Sequence, residues 1–335
     1  MKPIAVTMGD AAGIGPEIIV KAWSEIQHLT GNNAVVYGHS GVMNKAAALC
    51  GLPADIPCIQ CGDAALLDVP PGTVDARSGE AAYLAVIRAV DDTLAGKTSA
   101  VVTAPLNKAA LNLAGHHYPG HTEILAERCG VSDFAMMLYL PASQVPGKNN
   151  EGLAVVHVTL HCAMRTIFDQ ITVENVLAKA KLADNFMRRM ISDKNRRPHI
   201  GVCSLNPHAG EDGLFGSEEA AVIRPAVDKA RAEGLLIDYP KPADTIMIDA
   251  RGGKYDAVVA MFHDQGHIAL KLLGMYSAVN VTLGLPIIRT SVAHGTAFDK
   301  AWSGTAQAGS LIEAVKVAVR LASDGNVPKP HKDTE

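Results

Sequence analysis

Short apolar runs of strand type alternate with helical patterns along the whole chain, and this alternation constrains the fold more than any other feature. Strands are predicted at residues 4–8, 35–37, 100–103, 153–159, 200–204, 257–262 and 279–282. The clearest helix begins after Thr172, a residue suited to an N-cap, and carries an apolar stripe from Val173 to Met190. The alternation predicts an α/β fold with a largely parallel sheet, whose ligands gather at the carboxyl ends of the strands.

Length and charge narrow the class of protein. At 335 residues the chain exceeds the size at which one hydrophobic core stops growing, so two lobes are expected. An apolar fraction of 48% excludes a disordered chain, and a net charge of -4 argues against a nucleic-acid-binding surface. No apolar run is long enough for a membrane span, and the N-terminus lacks a signal-peptide pattern. A cytoplasmic protein is predicted.

Two polar stretches and the cysteines are predicted to have no catalytic or metal-binding role. Residues 141–152 and the tail from Asp324 are predicted to be surface connections because they are polar and contain glycine or proline. The cysteines are scattered, and the lone C-x-x-C of Cys58 and Cys61 has no second pair at zinc-ribbon spacing. They are expected to be reduced, structural thiols.

Three segments share one arrangement, an apolar strand followed by a histidine in a polar turn. The histidines are His161, His208 and His263. Three neutral imidazoles suit a divalent transition metal such as zinc, with an open position for substrate or water. A hydrogen-bonded turn residue is the alternative for each histidine taken alone. His157 is expected to be a packing residue or to support a ligand.

Cationic side chains also follow predicted strand ends, at Lys108, Lys271 and Arg289. Arginine binds a carboxylate or phosphate through two parallel hydrogen bonds, and lysine supplies a point charge. These residues therefore predict an anionic substrate, with a solvated surface as the alternative.

Two glycine-bearing turns are candidates for nucleotide binding. Residues 9–17 (GDAAGIGPE) predict a strand, a turn and a helix that begins near Pro16, but Ile18 stands where the dinucleotide fingerprint needs its third glycine. An ordinary Rossmann motif is therefore unsupported. The turn at residues 294–299 (HGTAFD) has small residues that let backbone N–H groups approach a nucleotide, with a structural turn as the alternative.

Longer motifs identify a family. In order along the chain they are GDAAGIGPE, TAPLNK, YPGHTEILAE, NPHAGEDGLFG, PADT, AMFHDQGHIALKLLG and NVTLGLPIIRTSVAHGTAFDKAWSG. From about Ile4 to Leu321 the chain resembles the 4-hydroxythreonine-4-phosphate dehydrogenases of pyridoxal phosphate biosynthesis. Within that group it looks most like the branch that acts on four-carbon acid-sugar phosphates such as D-threonate 4-phosphate.

The resemblance implies a fold of the isocitrate/isopropylmalate dehydrogenase type, with two α/β lobes and an active-site cleft between them. Residues 1–130 and 285–335 would form a discontinuous first lobe on the cofactor side, and residues 131–284 a second lobe on the metal and dimer side. The resemblance also implies a homodimer with the metal site at its interface. From the net charge and the lack of a long apolar run, no nucleic-acid or membrane partner is expected.

The family's site residues fall on named positions of this sequence. A divalent metal (Zn, Mg or Co) would be held by His161, His208 and His263, one of them contributed across the dimer interface. Substrate contacts fall on His121, Thr122, Lys271, Asn280 and Arg289. The turn that binds NAD would use His294, Gly295, Thr296, Ala297 and Asp299. Proton handling and support of the metal are expected from Asp244, Asp264 and Lys271.

Two positions depart from the family pattern. Ala11 stands where proline is common, a small change in a turn, and Ala293 stands where aspartate commonly precedes the HGTA turn. The cofactor turn is therefore expected to lack one carboxylate, which bears on NAD affinity and cofactor preference.

Site chemistry and resemblance together predict metal-dependent, NAD-linked oxidation, with decarboxylation, of a phosphorylated four-carbon hydroxy acid of the 4-phosphooxy-L-threonine type. D-Threonate or D-erythronate 4-phosphate is the alternative substrate, and a cyclic diol of aromatic degradation is a further one. Outside this class, a metal-dependent hydrolase or lyase would use the same histidines without a nucleotide. A non-catalytic two-lobed binding protein would need no metal.

Overall fold

The computed structural model describes residues 1–145 and 151–324. The strands of these residues are β1 (Ile4–Thr7), β2 (Ala34–Gly38), β3 (Cys58–Gln60), β4 (Ala100–Thr103), β5 (Ala135–Leu140), β6 (Leu153–His157), β7 (His199–Val202), β8 (Leu236–Ile237), β9 (Ala257–Ala260), β10 (Val279–Leu283) and β11 (Arg289–Val292). The α-helices are α1 (Gly15–Thr30), α2 (Ser40–Cys50), α3 (Ala76–Leu94), α4 (Lys108–Leu113), α5 (His121–Cys129), α6 (Ile167–Gln170), α7 (Val173–Met190), α8 (Arg224–Ala232), α9 (Ala243–Arg251), α10 (His263–Gly274) and α11 (Gly309–Ser323). Short 3₁₀ turns occur at Ala64–Asp68, Ala142–Gln144 and Met164–Thr166, and one π-helical turn at Glu219–Ile223.

Every strand predicted from the sequence is present, with ends shifted by a few residues. The prediction missed β3, β5, β8 and β11. β5 is buried along its whole length, so its sequence AMMLYL lacks the alternation that marks a half-buried strand. The helix predicted after Thr172 is α7, and the Thr172 hydroxyl accepts a hydrogen bond from the backbone N–H of Asn175 at 3.2 Å.

The chain divides into two compact units, one of residues 1–134 and 284 onward, the other of residues 135–283. In the first unit the strands follow the order β3-β2-β1-β4-β11, and all of them are parallel. From β1 the chain proceeds to β2 on one side, while β4 lies on the other. Ligands of parallel sheets bind at such a switch point, beyond the carboxyl ends of the strands.

The second unit has the strand order β10-β5-β6-β9-β7-β8. β6, β9, β7 and β8 are parallel, whereas β5 runs antiparallel to both β6 and β10. The sheet is thus largely parallel, as predicted, with β5 as the antiparallel exception; only residues 141–152 separate β5 from β6, and a parallel pair needs a crossover of a dozen or more residues. The surface segment predicted at 141–152 joins these strands; its residues 146–150, like the tail residues 325–335, lie outside the described residues.

The turn after β1 leads into α1 as the glycine-bearing motif predicts. Pro16 stands in the first turn of α1, and Gly31 ends the helix with a left-handed φ of 61°. The cysteines of the described chain are all free thiols. In the part of the chain that the structure describes, no helix combines the length and apolar character needed to cross a membrane.

Candidate active site

The three histidine turns follow three neighbouring parallel strands of the second unit. β9 pairs with β6 on one side and with β7 on the other. His161 follows β6, His208 follows β7, and His263 begins α10 directly after β9. Because the carboxyl ends of parallel strands meet at one edge of a sheet, the three turns share that edge, with His263 following the central strand.

His161 and His263 lie close together. Their ring centroids are 5.7 Å apart, and Nδ1 of His263 is 2.6 Å from Oδ1 of Asp264. When Nδ1 donates its proton to this carboxylate, Nε2 of His263 keeps a lone pair, the arrangement that orients a metal-binding imidazole. The described residues contain no group of three or more His, Cys, Asp or Glu side chains placed to hold one ion.

Two further histidines pack behind His263. The His157 ring is fully buried, its Nε2 lies 3.1 Å from Nδ1 of His267, and its Nδ1 lies 3.3 Å from the Met136 carbonyl oxygen. The His267 ring stacks on that of His263, with centroids 3.7 Å apart. Burial lowers the pKa of His157 to about 4 and that of His267 to about 2, with neighbouring imidazoles adding to both shifts. Both rings are therefore neutral at pH 7 and support the His263 ring.

His208 lies in a strained loop. His208, Ala209, Glu211 and Asp212 all have left-handed φ values between 42° and 57°, and Gly210 between them has a φ of 80°. A left-handed conformation costs a residue other than glycine roughly 1–2 kcal/mol, so four such residues store several kcal/mol. Strain of this size persists only where surrounding contacts hold it, and it concentrates at functional sites.

A cavity of about 370 Å³ opens beside this loop within the second unit. It is lined by residues 204–208 and 242–244 with Phe262 and Gln265. The cavity therefore brings His208 together with Asp244, one of the residues predicted to handle protons. Asp244 is exposed in the first turn of α9, and Asp264 is exposed and bonded to His263.

The second unit also holds two of the predicted substrate contacts. Lys271 is half-buried on α10, near enough to His267 for its charge to lower the pKa of that ring. Asn280 lies on β10, and its Oδ1 is buried with no hydrogen-bond partner among the described residues. A buried, unsatisfied amide oxygen costs free energy, so Asn280 is suited to accept a hydrogen bond from a ligand.

His121, Thr122 and Arg289, the other predicted substrate contacts, belong to the first unit. Arg289 is 2% exposed and its Nη2 donates to the Thr103 hydroxyl at 2.7 Å. Nε2 of His121 is buried without a partner in the described chain; burial lowers the pKa of His121 well below its ordinary value, and the charges of Arg289 and Lys108 lower it further. Arg289 and Lys108 thus place positive charge beside a neutral His121 ring, a combination suited to phosphate or carboxylate.

The predicted cofactor turn packs against the glycine-bearing turn of residues 9–17 in the first unit. The backbone N–H of Ile14 donates to the Thr296 carbonyl at 3.1 Å, and Nε1 of Trp302 donates to the Ala11 carbonyl at 2.9 Å. Two stretches far apart in sequence thus form one structure. Ala11, the first departure from the family pattern, uses its backbone carbonyl in this contact.

Within the predicted cofactor turn, His294, Thr296 and Ala297 are half-buried, whereas Gly295 and Asp299 are exposed. A Cβ added at Gly295 would have no atom within 4 Å, so the backbone is open to a ligand there. Burial lowers the pKa of His294, which keeps the ring neutral. Small residues and an open backbone fit the approach of a dinucleotide.

Asp10, directly after β1, is a buried carboxyl group. Its side chain is fully buried; Oδ1 accepts the Ala12 backbone N–H at 2.8 Å, and Oδ2 has no partner among the described residues. Burial raises its pKa from 3.8 to about 6. The pKa of Asp10 is higher in the folded state than in the unfolded state. The contribution of its protonated carboxyl group to the free energy of unfolding is therefore complete below pH 3.8 and is lost as the pH rises through about 6.

Replacing Asp10 with Asn should therefore stabilise the protein above pH 6. Asn keeps the acceptor for Ala12 but carries no charge, so the free energy of unfolding should rise by about 2–3 kcal/mol at pH 8 and stay nearly unchanged at pH 4. Urea unfolding of both proteins at the two pH values measures this. Asp55→Asn, at an exposed carboxylate, serves as the control. An equal gain at both pH values would contradict the assignment.

The sequence prediction missed three residues that support the site. His267 stands four residues after His263, a helical spacing that places both on one face and could have revealed it. Gln265 lies between them, and Nε2 of its side chain donates to the Ser204 carbonyl. No sequence signal marks Glu219, because the backbone groups it binds are 13 and 14 residues away along the chain.

Comparison with known proteins shows which family the chain belongs to. A family model described as pyridoxal phosphate biosynthetic protein PdxA matches residues 30–318. The chain belongs to this family. The D-threonate 4-phosphate dehydrogenase of Salmonella typhimurium is 45% identical to it, covering 96% of this chain and 99% of that protein. The 4-hydroxythreonine-4-phosphate dehydrogenase of Trichlorobacter lovleyi is 41% identical, covering 96% and 97%. The predicted family is confirmed.

Solved structures agree. The crystal structure of 4-hydroxythreonine-4-phosphate dehydrogenase from Klebsiella pneumoniae superposes with a TM-score of 0.81 at 42% identity, over 96% of this chain and 100% of that one. Isocitrate dehydrogenase from Methylococcus capsulatus, 16% identical, superposes with a TM-score of 0.51 over 96% and 88%, which shows the fold alone. The predicted fold class is confirmed, and the relatives' names agree with the predicted enzyme class, an oxidoreductase acting on CH–OH groups.

Proposed function

We propose that this protein catalyses the NAD-linked oxidation of a phosphorylated four-carbon hydroxy acid of the 4-phosphooxy-L-threonine type, followed by decarboxylation. The observation that carries the proposal is the placement of His161, His208 and His263 after three neighbouring parallel strands. The positive charges of Arg289 and Lys108 beside His121 suit an anionic substrate. The substrate class is the one that the relatives' names give.

D-Threonate or D-erythronate 4-phosphate is the second candidate substrate. The relative at 45% identity is named for D-threonate 4-phosphate, whereas the one named for 4-hydroxythreonine 4-phosphate is 41% identical. Both substrates present a carboxylate, a hydroxyl group and a terminal phosphate. The same cationic residues would therefore serve either one.

The residues of the second unit fit a divalent metal by their chemistry. A metal bound by His161, His208 and His263 would supply Lewis-acid stabilisation of the hydroxyl group being oxidised. Nδ1 of His263 is hydrogen-bonded to Asp264, so Nε2 would be the atom that binds the metal. The neutral His157 and His267 rings pack behind His263 without adding positive charge at pH 7.

The remaining predicted residues divide between substrate binding and proton transfer. Lys271, Asn280, Arg289, His121 and Thr122 would bind the carboxylate, hydroxyl and phosphate groups. Asp264 is engaged with His263, which leaves Asp244 and Lys271 as candidates for accepting the hydroxyl proton, Lys271 only in its uncharged amine form. Asp244 lines the cavity beside His208 and is the better placed of the two with respect to that ligand.

NAD would bind at the turn of His294, Gly295, Thr296, Ala297 and Asp299 and accept the hydride. The open backbone at Gly295 and the neutral His294 ring allow a phosphate-bearing group to approach. Ala293, in place of the family's usual aspartate, removes a negative charge beside this turn. NAD-binding measurements on Ala293→Asp would report the contribution of that charge.

A homodimer would cover an apolar stripe on α10. Ile268, Leu272, Met275 and Tyr276 are 59%, 84%, 44% and 68% exposed, at spacings that place them on one side of the helix and its end. An apolar face of this kind marks an interaction site. The same helix begins at His263, so a second copy seated on the stripe would approach the metal-binding edge.

Leu272→Lys tests the dimer. A lysine at this most exposed position of the stripe should convert the dimer into a monomer, because a buried unpaired charge is costly. Light scattering on the eluting protein measures the mass. Leu113→Lys, at a residue 64% exposed in the first unit, is the control and should keep the wild-type mass. A wild-type monomer, or a dimeric Leu272→Lys variant, would rule the proposal out.

The function is tested by following NADH formation at 340 nm with a divalent metal and a panel of substrates. The panel contains 4-phosphooxy-L-threonine, D-threonate 4-phosphate and D-erythronate 4-phosphate. Turnover of the first alone assigns the protein to vitamin B6 synthesis, and turnover of an acid-sugar phosphate assigns it to sugar-acid catabolism. Absence of NADH with every phosphorylated substrate overturns the proposal.

A further inference from the structure

A single buried carboxylate lies beneath the strained loop that carries His208. Glu219 is 2% exposed, and its Oε1 accepts the backbone N–H groups of Leu205 at 2.8 Å and Asn206 at 2.7 Å. Its Oε2 accepts Nδ2 of Asn206 at 2.9 Å. One carboxylate thus satisfies three donors of the segment that leads into His208.

The Asn206 side chain cannot turn over in this arrangement. Its Nδ2 donates to Glu219 and also to Oε2 of Glu218 at 2.7 Å, so a reversed amide would place an oxygen between two carboxylates. The left-handed loop packs closely on the same group, since a Cβ added at Gly210 would lie 2.9 Å from Oε2 of Glu219. Glu219 also opens the π-helical turn of residues 219–223, a device frequent at functional sites.

The other end of the segment is tied to α10. Nε2 of Gln265 donates to the Ser204 carbonyl at 2.7 Å, and Oε1 of Gln265 accepts the Met261 N–H at 2.7 Å. Gln265 stands two residues after His263. The segment that carries His208 is therefore held by Glu219 on one side and by the helix of His263 on the other.

We propose that Glu219 is a positioning residue that holds His208 in the geometry for metal binding. The inference rests on the proposed metal site. The left-handed backbone conformation of the loop costs free energy, and the hydrogen bonds to Glu219 offset part of that cost. Without the Glu219 carboxylate, we expect the loop to populate other conformations. Glu219 lies beneath the loop and acts only through the backbone and Asn206.

The test uses Co²⁺ as the probe, with binding followed by its visible absorption, on the wild-type protein and Glu219→Ala. Loss of a supporting partner behind a metal ligand typically weakens metal binding 10–100-fold, and we expect a loss of that size with an altered cobalt spectrum. Glu219→Gln should show a smaller loss, because its oxygen still accepts the two backbone N–H groups while its amide faces Nδ2 of Asn206.

Glu218→Gln is the matched control. Glu218 lies next to Glu219 and accepts a hydrogen bond from the Asn206 side chain, whereas the backbone N–H groups of Leu205 and Asn206 bond to Glu219. Glu218→Gln retains an acceptor oxygen, so its Co²⁺ affinity should stay within about threefold of the wild type, which is less than the tenfold loss expected at minimum for Glu219→Ala. Circular dichroism and thermal unfolding show whether each variant is folded at the assay temperature. Amide hydrogen exchange at Leu205 and Asn206 should accelerate in Glu219→Ala but not in Glu218→Gln.

The outcomes separate this inference from the proposed function. If His208→Ala binds Co²⁺ as tightly as the wild type, the metal assignment of His208 fails, and the positioning role fails with it. If His208→Ala loses Co²⁺ while folded Glu219→Ala retains wild-type affinity and spectrum, only the positioning role is overturned. If Glu219→Ala does not fold, Glu219→Gln decides: wild-type affinity and spectrum in that variant overturn the role.

Discussion

His208→Ala should abolish metal-dependent turnover and leave the fold intact. The side chain is exposed at the cavity, so its removal leaves no buried hole, whereas the metal loses one of its proposed ligands. Lewis-acid stabilisation is worth several kcal/mol, so turnover should fall by roughly 10³-fold or more. NADH formation at 340 nm and the metal content of the purified protein measure the two effects.

His117→Ala is the control for this change. His117 is also exposed, lies in the first unit, and bonds only to Asn112 among the described residues. It should keep wild-type activity and metal content. Unchanged turnover in His208→Ala would contradict the metal assignment, because the substitution removes the imidazole nitrogens that would bind the metal.

Arg289→Met should lower kcat/KM for a phosphorylated substrate by about a hundred- to a thousandfold. Burial lowers the pKa of Arg289 to about 9, so the guanidinium remains cationic at neutral pH. Hydrogen bonds to a charged group are worth about 1.5–3 kcal/mol each, and methionine replaces them with an apolar chain of similar length. Steady-state kinetics across substrate concentrations should show most of the loss as a higher KM.

Two companion variants sharpen the arginine experiment. Arg289→Lys keeps the charge but loses the two-pronged geometry, so it should recover only part of the activity. Arg251→Met, at an exposed arginine of the second unit, should match the wild type. Equal KM values for Arg289→Met and the wild-type enzyme would remove Arg289 from substrate binding.

The strand prediction succeeded for strands that the local sequence pattern marks. It failed for strands that form because they pair with strands distant in the sequence. β1, β4 and β9 are short apolar runs bounded by turn residues, and the sequence marks each of them. β11 reads RTSV, which carries no such pattern; it is a strand because it pairs with β4 in the interior of the first unit. Pairing partners far away in the sequence supply what the local pattern lacks.

The candidate site shows the same division. Each histidine turn could be found alone, because an apolar strand followed by a polar turn is a local feature. The order β6-β9-β7 could not, since it arises from pairing between segments separated by many tens of residues. That order determines which histidines are neighbours and places His263 after the middle strand.

By itself, the sequence determined the α/β class, the histidine turns, the cationic positions and the family, because each depends on residue type and short-range spacing. Only the tertiary structure decided that Glu219 lies beneath the His208 loop, that His157 and His267 pack behind His263, and that the turn at 294–299 packs on the turn at 9–17. Most of these contacts join residues that are far apart in the sequence and become close only on folding, so short-range sequence patterns cannot predict them.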